Sequence, residues 1–234
     1  SRVRSTRPVP ASSWARLLRT GARRRVPPCQ CGPEPLCNKA RTMALTHLLY
    51  LHGFRSSPAS VKSRMTHAAA LARFPGLVWH GPQLPVSPRA ALAQLVRDVA
   101  DWPIETMAVV GSSLGGFYAT WLAERLGCRA VLLNPAVYPA RDLAAHVGEH
   151  TLWHHPEERF VFEPAFVQEL QALEVAHITR PERYMAVIAK GDEVLDWREM
   201  AGHYPGARVL LLEGSDHALS DYDQQLPDVL SFLA

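Results

Sequence analysis

From residue 47 onward, short apolar runs alternate with longer stretches whose apolar residues recur at helical spacing. The first run, His47-Leu48-Leu49-Tyr50-Leu51, is stopped by His52-Gly53-Phe54-Arg55-Ser56-Ser57-Pro58. Apolar residues at consecutive positions suit strands buried on both faces of a parallel sheet. Further strands are expected at residues 77–79, 107–110, 130–133, 184–189 and 208–212. Helices are expected over 60–74, which Pro75-Gly76 ends, and from Ser87 to Trp102, where Ser87-Pro88 supplies an N-cap with proline at the first helical position. Others are expected over 118–126, 164–173, 197–203 and 224–233. Residues 139–182 lack a strand pattern and read as a small helical insertion. Strands alternating with helices imply an α/β fold, a mainly parallel sheet of about six strands covered on both faces.

One junction stands apart. Val109-Val110-Gly111-Ser112-Ser113-Leu114-Gly115-Gly116-Phe117 runs from an apolar segment through a glycine-flanked serine into a helix-forming run. Gly111, Ser113 and Gly115 fit Gly-x-Ser-x-Gly, the form of a nucleophile elbow, with Ser113 central and Ser112 supporting the turn. Small residues on both sides let neighbouring backbone approach a serine held in a strained conformation.

Composition changes the picture at the N-terminus. Residues 1–42 hold ten Lys and Arg against one acid, Glu34, a net of +9, whereas residues 43–234 carry a net of −6. The overall +3 therefore describes neither part. The basic tail is rich in Arg, Pro and Ser and is expected to be disordered. A transit peptide and a nucleic-acid-binding arm are rival accounts of it. The favoured expectation is that it is not native and that the protein starts at Met43, as a single domain over 43–234. Cys29, Cys31 and Cys37 lie in the tail, and their spacing does not match paired Cys-x-x-Cys zinc ligands. With only Cys128 in the domain, a reducing, cytoplasmic location is expected, and no transmembrane run is present.

A serine nucleophile needs a base, and the base an orienting acid, in chain order serine, acid, histidine for this kind of elbow. Downstream of Ser113, the 184–189 strand ends in Lys190-Gly191-Asp192-Glu193-Val194-Leu195-Asp196, and the 208–212 strand in Glu213-Gly214-Ser215-Asp216-His217. His217 is the candidate base and Asp192 the candidate acid. Asp196 is its rival, with helix capping as the other reading, and Asp216 reads as a loop residue. His52 follows a strand upstream of the serine and reads as shaping its turn. The backbone amides of Leu114 and Phe54 are the candidate oxyanion donors. No metal or organic cofactor is implied. Trp153, Phe160, Phe162 and Phe166 either line an acyl site under the insertion or pack the insertion onto the sheet.

From residue 45 to the C-terminus, the segments around His52-Gly53-Phe54, Ser56-Ser57-Pro58 and Lys62, the elbow, Leu133-Asn134-Pro135-Ala136, Gly191–Asp196 and Asp216-His217 resemble the YqiA/YcfP-type esterases, small α/β-hydrolases of bacteria. The resemblance implies a serine esterase or thioesterase acting on acyl substrates, with Ser113, Asp192 and His217 in the triad positions. The expected partner is a small-molecule acyl ester or thioester, with neither nucleic acid nor membrane. Two departures stand beside the base: Ser215 where the family tends to have glycine, and Leu219 where it tends to have phenylalanine. An acyltransferase, a C–C bond hydrolase or a non-catalytic binding protein on the same fold remain alternatives.

Overall fold

The computed structural model describes residues 44–234 except His154; the basic tail and its three cysteines lie outside the described residues. Six parallel strands form the central sheet: β1 (His47–Leu51), β2 (Val78–His80), β3 (Met107–Ser112), β4 (Arg129–Leu133), β7 (Tyr184–Ala189) and β8 (Arg208–Leu212), in the order β2-β1-β3-β4-β7-β8. β3 and β7 are buried along their whole length, as consecutive apolar runs require. Between these strands lie α1 (Val61–Arg73), α2 (Pro88–Asp98), α3 (Leu114–Leu126) and α6 (Trp197–His203), and α7 (Tyr222–Leu233) closes the chain.

Alternate strand residues face opposite sides. Leu49, Leu51, Val109, Leu132 and Ile188 pack with α2, α3 and α6, whereas Leu48, Tyr50, Val110, Leu133 and Val187 pack with α1 and α7. The chain moves outward from β1 to β2, then returns to place β3 on the other side of β1. Such a reversal opens a crevice beyond the carboxyl ends of β1 and β3, the place where parallel sheets bind ligands.

Three elements differ from the sequence reading. α2 stops at Asp98 rather than Trp102: Ala100 and Trp102 donate to the carbonyls of Arg97 and Val99 in tight turns, and Trp102 precedes Pro103, which disfavours helical backbone. β2 is shifted by one residue, to Val78–His80. The insertion is not purely helical. It comprises α4 (Pro139–Leu143), an antiparallel hairpin of β5 (Gly148–Thr151) and β6 (Arg159–Phe162), and α5 (Pro164–Ala172). The strands of this hairpin have four residues each, and Glu149, His150 and Arg159 break the apolar pattern. Its pairing is supported by docking rather than propensity.

Polar ties anchor the insertion. Arg141 on α4 donates from Nη1 and Nη2 to the Glu199 carboxylate on α6 at 2.8 and 2.6 Å. Glu169 on α5 accepts from Ser87 Oγ (2.7 Å) and Arg89 N (3.0 Å), a carboxylate set at the start of α2. No helix among the described residues is long and apolar enough to cross a membrane.

The first turn of α3 is pressed against the end of β1. A Cβ added at Gly115 would lie 2.1 Å from the Leu51 carbonyl oxygen, and one at Gly111 would lie 2.2 Å from the Gly115 carbonyl oxygen. Backbone cannot retreat there without parting two elements. Gly115→Ala is therefore expected to lower stability by about 3 kcal/mol in urea denaturation. Gly202→Ala, inside α6 with nothing within 4 Å of its added Cβ, is expected to raise it by up to about 1 kcal/mol. Equal shifts in the two variants would contradict the close approach.

Candidate active site

Ser113 sits between the end of β3 and the start of α3 with φ 54° and ψ −120°, a conformation that non-glycine residues rarely adopt. Three bonds hold its backbone there: its amide donates to the Leu133 carbonyl (3.0 Å), and its carbonyl accepts from Gly116 N (2.8 Å) and Ala136 N (3.0 Å). Ser112, by contrast, ends β3 and is buried.

Ser113 Oγ lies 3.1 Å from His217 Nε2, and His217 Nδ1 lies 2.8 Å from Asp192 Oδ2. The Asp192 side chain is fully buried, with 0% exposure, whereas that of His217 is 22% exposed. Asp192 Oδ1 accepts from the amides of Val194 and Leu195, both at 2.8 Å, so the carboxylate is held from two sides. A carboxylate accepts the Nδ1 proton, which leaves Nε2 with a free lone pair directed at the serine hydroxyl. Asp196 is placed elsewhere. It caps α6 by accepting from Arg198 N at 2.8 Å, and its side chain is 50% exposed.

The loop carrying His217 is gripped from four directions. Glu193 Oε2 accepts from His217 N (3.0 Å), and Asn134 Nδ2 donates to the carbonyls of Asp216 (2.9 Å) and His217 (3.3 Å). Asp216 accepts from Ser220 N (2.9 Å) and Ser220 Oγ (2.6 Å), closing the loop on itself. Lys62 Nζ, on the first turn of α1, donates to the carbonyl of Ala218. Burial draws the Lys62 ammonium down to about 8, while Asp216 and Asp192 pull it back up. Ser215 and Leu219 hold φ of 66° and 50°, so both departures from the resembled family fall at left-handed positions. A glycine suits such a position, and here the Ser215 hydroxyl donates to Asp221.

Asn134 carries more than its sequence position suggests. It is fully buried, adopts φ 42°, accepts from Ala189 N at Oδ1 (2.8 Å) and so joins the end of β7 to the His217 loop. In the sequence it ends β4 and belongs to one of the segments that carry the family resemblance; the physical signal there is an Asn-Pro pair, since asparagine tolerates left-handed backbone. Glu193 and Lys62 likewise gain their positions only through tertiary contact.

On the far side of Ser113, Gly53 passes so close that an added Cβ would lie 3.1 Å from Ser113 Cβ and 3.6 Å from its Oγ. Among the described residues, neither the next amide, Phe54, nor the first amide of α3, Leu114, donates to an acceptor. His52 is buried. Leu84 N donates to its Nε2 (3.2 Å), so its Nδ1 carries the proton and donates to the Gly53 carbonyl (2.9 Å). Burial holds this imidazole below its ordinary range, with the Gly53 carbonyl opposing. One group of described residues could hold a metal ion, His155, Glu157 and Glu158, but all three are exposed beside the hairpin.

A parallel sheet with a strained serine at a strand-to-helix turn is the α/β-hydrolase fold. A solved protein of Agrobacterium vitis S4 is similar to this chain with a TM-score of 0.66 at 19% identity, covering 81% of this chain and 88% of that one. A structure from work on the metagenome-derived lipolytic enzymes LipS and LipT is similar with a TM-score of 0.58 at 19% identity, covering 81% and 94%. The sequence places the chain within that fold more narrowly. Residues 47–234 match the model of UPF0227, described as an uncharacterised protein family, and the chain belongs to it. A UPF0227 protein of Yersinia enterocolitica is 22% identical over 191 residues, 79% of this chain and 97% of the relative.

Because folding keeps His52 neutral, the unfolded chain binds more protons once pH falls below about 6.5, the ordinary imidazole value. Stability is fully present above that pH and is lost as pH falls toward the depressed folded value. The urea midpoint is expected to drop between pH 7 and pH 5, and to drop less in His52→Gln, where half-buried His203, also held below its ordinary range, still contributes. Equal slopes in the two proteins would contradict the assignment of His52 as a buried neutral imidazole.

Proposed function

We propose that the protein is a serine hydrolase that cleaves carboxylic esters or thioesters of small to medium acyl groups. The observation that carries this reading is the continuous line from Ser113 Oγ through His217 to the buried Asp192 carboxylate, at 3.1 and 2.8 Å. Each member follows a different parallel strand, and each is held by bonds to its own backbone or loop. The lipolytic work from which one structural neighbour comes supports the same chemistry.

In this reading, Ser113 Oγ attacks the acyl carbonyl carbon while His217 Nε2 takes the hydroxyl proton. The carbonyl oxygen becomes an oxyanion between the amides of Leu114 and Phe54, at the N-terminus of α3, where unpaired donors and the helix dipole favour negative charge. His217 passes the proton to the departing alcohol or thiol. Water then gives a proton to His217 and attacks the acyl-serine, which releases the acid and restores the hydroxyl. Asp192 fixes the ring and stabilises the imidazolium without itself becoming protonated.

Hydrolysis of p-nitrophenyl esters and acyl thioesters of graded chain length tests the reading. Wild type is expected to turn over short members of at least one series, and Ser113→Ala to lose on the order of 10⁴-fold or more. Asp192→Asn is expected to lose on the order of 10⁴-fold in kcat. Asp196→Asn is expected to keep both its activity and its stability, because the asparagine Oδ1 can still accept from Arg198 N and cap α6. Loss of turnover in Asp196→Asn but not in Asp192→Asn would overturn the choice of acid, and a Ser113→Ala protein as active as wild type would overturn the nucleophile.

A further inference from the structure

The inserted hairpin does more than lie beside the candidate site; it grips the two residues that follow Gly53. Trp153 N donates to the Arg55 carbonyl at 2.8 Å. Arg55 reaches back, donating from Nε to the Thr151 carbonyl (2.9 Å) and from Nη2 to Thr151 Oγ1 (3.4 Å). Its guanidinium carbon also lies 4.0 Å from the centre of the Trp153 ring. Arg55 is held at φ 59°, a left-handed conformation that arginine does not adopt without support. The Phe54 ring sits edge-on to four rings of the insertion: Phe162 at 5.3 Å, His150 at 5.4 Å, Phe160 at 5.8 Å and His146 at 6.2 Å.

The peptide joining Gly53 to Phe54 is planar, so its N–H points opposite its C=O. That carbonyl accepts from His52 Nδ1 (2.9 Å) and from Ser56 N (3.2 Å), which fixes one edge of the plane. Among the described residues, the insertion holds the other side, through the Phe54 ring and the Arg55 main chain. We infer that Arg55 and Trp153 are positioning residues, a clamp by which the inserted hairpin sets the direction of the Phe54 amide toward the oxyanion. This rests on the serine-hydrolase reading and adds to it that the insertion is part of the catalytic machinery rather than a cover. Trp153 itself is 65% exposed, so it is the clamp and not the packing of a core that its side chain serves.

Kinetics with a boronic acid inhibitor test the clamp, because a tetrahedral boronate draws on the oxyanion donors while a substrate's ground state draws on them less. Arg55→Ala and Trp153→Ala are expected to lower kcat on the order of 10- to 10²-fold with KM little changed. They are expected to weaken boronate binding by the same factor, and to speed amide hydrogen exchange at residues 53–56. Arg55→Lys, which keeps the charge but not the fork, should recover part of the loss, and Trp153→Phe most of it. Variants with a lower urea midpoint but unchanged kcat, boronate affinity and exchange would overturn the clamp and leave the hairpin as packing. A wild type that cleaves no ester and binds no boronate would instead remove the hydrolase reading, and the exchange measurement would then stand alone on whether the hairpin orders the loop.

Discussion

Everything at the site depends on how closely the first turn of α3 is packed against the end of β1. The carbonyl oxygen of Leu51 occupies space that any side chain at residue 115 would need, and the Gly115 carbonyl occupies the space beside Gly111. This contact sets Ser113 and Gly53 side by side, because β1 and β3 are neighbouring strands in register from His47↔Met107 to Leu51↔Gly111. Ser113 and the Gly53 turn thus follow adjacent parallel strands and are brought together by the sheet itself. What they do need is room, and glycine supplies it at 111, 115 and 53.

The other half of the site is assembled at a distance. Gly191 lies so near the Ser215 carbonyl that an added Cβ would sit 2.2 Å from that oxygen, which sets the Asp192 loop against the His217 loop. Asn134 then ties the His217 loop to the ends of β4 and β7, and Lys62 ties it to α1. Three segments distant in sequence therefore converge on the His217 loop: the end of β7 with its Asp192 loop, Asn134 after β4 and Lys62 on α1. A buried carboxylate such as Asp192 costs free energy unless it is fully bonded, and its three acceptor contacts meet that cost.

Much of this was legible in the chain and some of it was not, for physical reasons. Strands 47–51 and 184–189 stand where their patterns placed them, because consecutive apolar residues in a doubly covered sheet leave little ambiguity, and the half-exposed edge strand 208–212 and helix 197–203 keep their expected bounds as well. Which of two adjacent serines would occupy the strained turn followed from glycine spacing, and Ser113 has the positive φ. The hairpin was not legible: four-residue strands bearing glutamate, histidine and arginine have no period strong enough to read, and they are ordered by contact with Phe54 and Arg55. Asn134 and Arg55 have the same history. Each looks like loop chemistry in one dimension and becomes a joint between elements only once the sheet has formed.

The proposed function rests on a covalent bond between Ser113 Oγ and the acyl group. Rapid mixing with a p-nitrophenyl ester, quenching in acid and mass spectrometry of the resulting peptides test it directly. The expected result is a peptide containing Ser113 that is heavier by the acyl group, formed as p-nitrophenol is released and absent from Ser113→Ala. Release of p-nitrophenol with the acyl group on another residue, or on none, would contradict it.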